Sequence, residues 1–315
     1  MKKSITILLA FLLICGAVLG YARLREDLRS WVRKNDEAVV AAINRGAAAY
    51  AAGDLETAEK AYAQAEGLAA RADADAEAQW NRRSPKDGAK TEGLKPRDRF
   101  LAGKDNPLYR GGVHYFKNRV SEAAYGLALC RYQMLKTRYR IGDGAAFAPP
   151  SNVLAPALDA LERGLKACPQ SESLRLLKAE ILAGSGRYNQ ALKVLEEILL
   201  LDPKSAEAYN QMALVYSSRM FLLNTEDWKK NQEKALELFQ KAALGTTLDG
   251  GRLPDPLLNL GMFYATPDPT RAENAPPTPA DAARARQYLR EYLELVKDPE
   301  HPGAQTARKI LEKLK

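Results

Sequence analysis

The feature of this sequence that most limits its fold is a recurrent spacing of small side chains. Counting from Ala179, the residues Gly186, Tyr188, Ala191, Leu195, Ile198 and Pro203 fall at offsets 7, 9, 12, 16, 19 and 24. Counting from Gly46, the residues Gly53, Ala58, Tyr62 and Ala65 fall at 7, 12, 16 and 19. Two stretches that share four offsets mark a repeating unit, and the unit must be settled before any single element is read. Within each stretch, apolar and small residues recur three or four apart, the period of a helix with one buried face. Small side chains at offsets 0 and 12 let two antiparallel helices come close, and glycine at offset 7 supplies the φ that the turn between them needs. The expected unit is a helical hairpin.

The stretch LRLLKAEILAGSGRYNQALKVLEEILLLDP carries this pattern most fully, with NRGAAAYAAGDLETAEKAYAQA as its second occurrence. It resembles a tetratricopeptide repeat. Three further units match at each helix but are wider between helices. Ala213 and Ala235 are 22 apart where 12 is usual, Gly261 and Ala285 are 24 apart, and Ala128 and Ala157 are 29 apart. The resemblance covers most of residues 36–297. It implies an all-α solenoid of helical hairpins with long inter-helix insertions. The segment 301–315 keeps Ala307, Ile310, Leu311 and Leu314 at helical spacing, which suits a capping helix over the last hairpin.

Composition agrees with helices. Apolar residues make up 46% of the 315, enough for a sizeable core, and Ala and Leu outweigh Val and Ile. Met1-Lys2-Lys3 followed by the uncharged run Ile5–Leu19 has the form of an export signal or signal anchor. Eighteen residues from Ile5 to Ala22 reach roughly 27 Å as a helix, just enough to cross the hydrocarbon layer. An uncleaved transmembrane anchor over 1–22 is the leading expectation. Cleavage after Ala22 is open, since Gly20 and Ala22 are small, and lipid attachment at Cys15 is opposed by the bulky Ile14. With Lys2 and Lys3 kept inside, the remainder faces the periplasm of a bacterial cell.

Residues 23–72 then hold a juxtamembrane helix and the first unit, 73–119 a basic and partly irregular insertion, and 120–300 the later units. Between Arg82 and Lys117 ten basic residues face four acidic ones, so this segment carries +6 of the net +8. With Trp80, Phe100, Tyr109 and Tyr115 among them, the basic residues could clamp an anionic partner. Nucleic acid is not expected as a partner outside the cytoplasm.

Signs of catalysis are missing from the sequence. His114 and His301 are the only histidines, and no Cys or His pair has metal-ligand spacing. There is no phosphate-cradling G-x-x-x-x-G-K-[ST] and no G-x-S-x-G elbow. No catalytic residue, cofactor or metal is implied, and the chain is read as a non-enzyme. Of the three cysteines, at most Cys130 and Cys168 could pair.

In the tetratricopeptide family the first helix of each hairpin lines a concave partner-binding surface. The resemblance places there Ile43 and Tyr50; Glu122, Tyr125 and Tyr132; Leu176 and Glu180; Glu207, Asn210 and Ser217; and Asp255, Leu258 and Met262. Tyr50, Glu122, Tyr125, Tyr132, Glu180, Glu207, Asn210 and Ser217 are the candidate partner contacts. The Lys and Asn set with which some members hold a C-terminal carboxylate is missing, because Ile43 and Ala47 occupy such places. The expected activity is that of a membrane-anchored scaffold or assembly factor for envelope proteins, with a protein or peptide as partner. A permanent structural subunit of an envelope complex, or a basic adaptor working through residues 82–117, are the competing readings.

Overall fold

The computed structural model describes residue 26 and residues 30–83, 113–139, 151–220, 225–247, 250–266 and 277–314. The N-terminal run 1–22 and the core of the basic segment, 84–112, lie outside them. Among the described residues every regular element is an α-helix, and a single isolated bridge joins Ser205 and Thr246. None of these helices is long and apolar enough to cross a membrane.

In order, α1 covers 30–51, α2 Leu55–Arg83, α3 Val113–Tyr139, α4 Ser151–Ala167, α5 Glu172–Gly184 and α6 Tyr188–Leu201. They are followed by α7 Ala206–Met220, α8 Thr225–Leu244, α9 Asp255–Ala265, α10 Pro279–Leu295 and α11 Pro302–Lys313. The chain packs as two compact units, Met1–Ala145 with Pro149–Leu174, and Ala146–Ala148 with Arg175–Lys315.

In the first unit α2 packs on α3 and α3 on α4. Val39, Ala42 and Ile43 of α1, Ala65 and Ala69 of α2, and Val120 and Ala123 of α3 share one apolar cluster. A second cluster joins Ala72, Ala76 and Phe116, and the Trp31 ring meets Phe116 edge-on at 5.8 Å between centroids. The Tyr62 ring is held between two glycines. A Cβ on Gly46 would stand 2.9 Å from the ring, and one on Gly126 would overlap it. Helices α1 and α3 can therefore close on the same aromatic side chain, α1 toward its Cδ2–Cε2 edge and α3 toward its Cδ1–Cε1 edge, only because neither contributes a side chain at that level.

In the second unit α6 packs on α7, α7 on α8, α8 on α9 and α9 on α10, while α11 lies against both α9 and α10. Contacts between sequence neighbours are how a repeat array distributes its stability. The small-residue positions of the sequence pattern are buried as expected, Ala179, Ala191, Leu195 and Ile198 in one pair and Ala213, Ala235, Phe239 and Ala242 in the next. Gly261 lies beside Leu289, where a Cβ would meet the Leu289 side chain at 2.5 Å.

The turns explain the shared glycine offset. At Gly53 (φ +78°) the N–H donates to Tyr50 O while Asp54 N donates to Ala49 O. At Gly186 (φ +77°) the N–H donates to Ala183 O while Arg187 N donates to Leu182 O. This is the same Schellman closure in both, and it demands a left-handed residue that glycine accepts without a Cβ penalty.

The long inter-helix insertions need correcting in one place. Between Ala213 and Ala235 the extra residues are mostly helical, because α7 continues to Met220 and α8 begins at Thr225. Residues 217–235 contain neither glycine nor proline, so nothing stops the helices early. For the same reason α2 continues past residue 72 to Arg83, and α3 has begun by Val113, so both ends of the 73–119 segment are helix.

Candidate functional site

The eight candidate contacts divide between the two units, and the structure gives them different fates. In the first unit Tyr50 is half-buried at the end of α1. Glu122 is exposed and receives Arg119 Nη1 at 2.8 Å, while Arg119 Nε also reaches Asp36 at 3.0 Å. Glu122 and Tyr125, the latter 36% exposed, line a cleft of about 930 Å³ with Lys117, Asn118 and Ser121 of α3 and the segment Ala167–Ser171 after α4.

Tyr132 does not belong to this face. It is 1% exposed, a core side chain with Lys136 Nζ 4.6 Å over its ring. Its seven-residue spacing from Tyr125 sets its place on α3, but α2 and α4 both pack on α3, and that packing decides what stays uncovered. Ile43, placed on the surface by the same reasoning, is also buried in the α1–α3 cluster.

The cysteines do not pair. Cys130 is buried in α3, whereas Cys168 Sγ donates to Asn118 Oδ1 at 3.2 Å, twelve residues earlier on that helix. Twelve helical residues are about 18 Å, well past the reach of a disulfide. Burial pushes the Cys130 thiol up to about 11, with Glu59 adding to it, and burial raises Cys168 as well. At pH 8 only about one part in a thousand of Cys130 is thiolate. Maleimide at that pH is expected to label half-buried Cys168 and spare Cys130 until the chain unfolds, as peptide mass spectrometry of folded and urea-treated samples would show.

In the second unit Glu180 is half-buried on α5. On α7, Asn210 is only 7% exposed, and its Oδ1 accepts from Asn259 Nδ2 of α9 at 3.0 Å. Asn210 is thus a tie between two first helices whose side chain is largely covered. Glu207 and Ser217 lie three before and seven after it on the same stripe. Glu207 Oε2, Ser217 Oγ and, on the next position round, Gln211 Oε1 are buried from solvent with no hydrogen-bond partner. Between them Leu214 is 42% exposed, and on α9 Met262 is 41% exposed.

Asn259, Gln211 and Leu214 were not singled out from the sequence, although Leu214 lies one turn beyond Asn210 and Asn259 one turn beyond Asp255. The stripe through Asn210 was legible, but its match across to α9 depends on how the two hairpins stack. The result is a face of α7 and α9 with an amide pair at its centre, two exposed apolar side chains beside it and side-chain oxygens without donors along α7. Such a face offers apolar anchoring to a polypeptide through Leu214 and Met262.

Among the described residues no group of three or more His, Cys, Asp and Glu side chains is placed to hold a metal. Residues 154–215, from α4 into α7, match the model of the tetratricopeptide repeat family. No curated protein sequence matches the chain. Among solved structures, YrrB, described as a tetratricopeptide protein with an unusual peptide-binding site, is 18% identical, with 67% of this chain and 88% of that one covered and a TM-score of 0.27. The human IFIT1 dimer with PPP-AAAA is 16% identical, with 85% of this chain and 64% of that one covered and a TM-score of 0.31. Over residues 154–215 the chain is therefore similar to the tetratricopeptide repeat family, and the helical pairs on either side of that segment use the same small-residue packing.

Proposed function

We propose that this chain is a protein-interaction scaffold that holds a polypeptide segment on the α7–α9 face, and that its N-terminal apolar run tethers it to a bacterial inner membrane with the helical units on the periplasmic side. In that position it serves as an assembly factor for envelope proteins. The observation that carries the binding role is the Asn210–Asn259 hydrogen bond flanked by half-exposed Leu214 and Met262. Exposed apolar side chains beside a polar centre are the arrangement in which a partner's anchors gain most from leaving water. The tether is supported by the uncharged run Ile5–Leu19 behind two lysines.

Two measurements test the proposal. A photo-crosslinking amino acid placed at Leu214 or Met262 in cells is expected to trap a partner, whereas the same group at exposed Leu244, on the second helix α8, traps none. Equal trapping at all three positions would remove the face from consideration. A reporter enzyme active only outside the cytoplasm, fused after Lys315, is expected to be active and to sediment with membranes. Activity confined to cytoplasmic reporters would reverse the topology.

A further inference from the structure

The first unit has two ends, and only one of them lies where the chain arrives from the N-terminal apolar run. Helix α1 starts at residue 30, eight residues past Ala22, and eight residues span at most about 28 Å. Its first turn is held against the last turns of α2 and the start of α3, because Trp31 and Val32 pack on the cluster of Ala72, Ala76 and Phe116. The end of α4 joins them through the contact of Cys168 Sγ with Asn118 Oδ1 at 3.2 Å. Four helix ends therefore gather on the side of the unit that faces the apolar run.

These four ends are basic. Residues 30–34, 77–83, 113–117 and 164–167 hold Arg33, Lys34, Arg82, Arg83, Lys117 and Lys166 against one acid, Glu77. Arg33, Lys34 and Lys166 are exposed, and Lys117 opens on the cleft beside Cys168. The opposite end of the same helices has the other balance, with Asp54, Glu56 and Glu59 around one cleft with Arg131 and Arg138. Helix α1, residues 30–51, sets the two ends roughly 33 Å apart. Surface charge fades over about 8–10 Å in physiological salt, so a charged plane that meets one end leaves the other unaffected. Each lysine or arginine close to an anionic bilayer strengthens the attraction by about fivefold, and a tether keeps the two surfaces at high effective concentration. The Trp31 ring is turned onto Phe116, 5.8 Å away, so the contact is made by charge and not by an inserted aromatic side chain.

Resting on the reading of Ile5–Leu19 as a membrane tether, we infer that this end of the first unit docks on the anionic headgroups of the bilayer that holds the tether, through Arg33, Lys34, Lys117 and Lys166. The full chain is reconstituted into vesicles of phosphatidylcholine alone or mixed with phosphatidylglycerol. Both are floated on a density gradient and treated briefly with a lysine-acetylating reagent that does not cross the bilayer. Peptide mass spectrometry then reads each lysine relative to exposed Lys60, which lies at the opposite end near Asp54.

The chain is expected to float with both kinds of vesicle. In the mixed ones Lys34, Lys117 and Lys166 are expected to react about fivefold more slowly than in the neutral ones, and concentrated salt to remove the difference. Arg33→Glu with Lys34→Glu is expected to abolish the protection of Lys117 and Lys166 while flotation and helicity, the latter by circular dichroism, stay as they were. Flotation with both vesicles but equal labelling in both overturns the inference and leaves the tether standing, as does protection that survives the charge reversal. Flotation with the mixed vesicles alone, lost in salt, supports the basic end and overturns the tether. A chain that floats with neither overturns both.

Discussion

Gly126→Val is expected to destabilise the first unit by about 3 kcal/mol, seen as a fall of roughly 6–12 °C in its melting temperature. In an exposed helix interior the opposite holds, because replacing glycine restricts the unfolded chain and favours the helix by about 1 kcal/mol. Here a Cβ at position 126 would overlap the Tyr62 ring, which is already pressed from its other side by Gly46. The ring has nowhere to go, so α3 must move off α2 or the ring must leave its site. Gly67, in the same bundle, is the control: nothing lies within 4 Å of its would-be Cβ, so Gly67→Ala is expected to stabilise. The cause is tested by coupling. In a Tyr62→Ala background Gly126→Val should lose most of its effect, and a fully additive pair would mean that the ring is not what the valine meets.

Tyr292→Ala is expected to cost about 3–5 kcal/mol, the range for truncating a buried large side chain, and to release α11 before the rest of the second unit. Tyr292 of α10 is fully buried, and its hydroxyl lies 3.3 Å from His301 Nδ1. That ring nitrogen also accepts from Gly303 N at 3.2 Å and so caps the start of α11. Gly303 has no side chain to obstruct the hydroxyl, and a Cβ there would collide with it. One aromatic side chain therefore fills the core beneath the last helix and holds its N-terminus in place. Hydrogen exchange is expected to show residues 302–313 losing protection in Tyr292→Ala while α7 and α8 keep theirs. Tyr292→Phe, which keeps the ring, is expected to cost only about 1 kcal/mol, the usual net worth of one hydrogen bond. Uniform loss of protection in Tyr292→Ala would show that α11 is not separately pinned.

Both predictions concern contacts that the sequence half disclosed. Tyr62 and Gly46 stood at repeat offsets, and their approach follows from the spacing. Gly126 did not, because its partner lies on a helix 64 positions away and outside the hairpin that contains Tyr62. Ala213 and Ala235 were correctly paired although 22 residues apart, yet among the described residues between them, those up to Met220 and from Thr225 onward extend the two helices. Spacing fixes which faces are small and apolar. It leaves open whether added length becomes loop or helix, and here the lack of breakers decided that.

The candidate contacts divide in the same way. Glu122 and Tyr125 line a cleft, and Glu207, Asn210 and Ser217 share a stripe of α7 beside Asn259, Leu214 and Met262. Tyr132, one period beyond Tyr125, is core. By itself the sequence determined the helical hairpin, its glycine turns and the small residues at each crossing, because those follow from φ preference and side-chain volume within one unit. The tertiary structure alone decided which positions remain at the surface and which acceptors lack a donor, because exposure and hydrogen-bond pairing belong to what packs opposite a residue and not to the residue's place on its own helix.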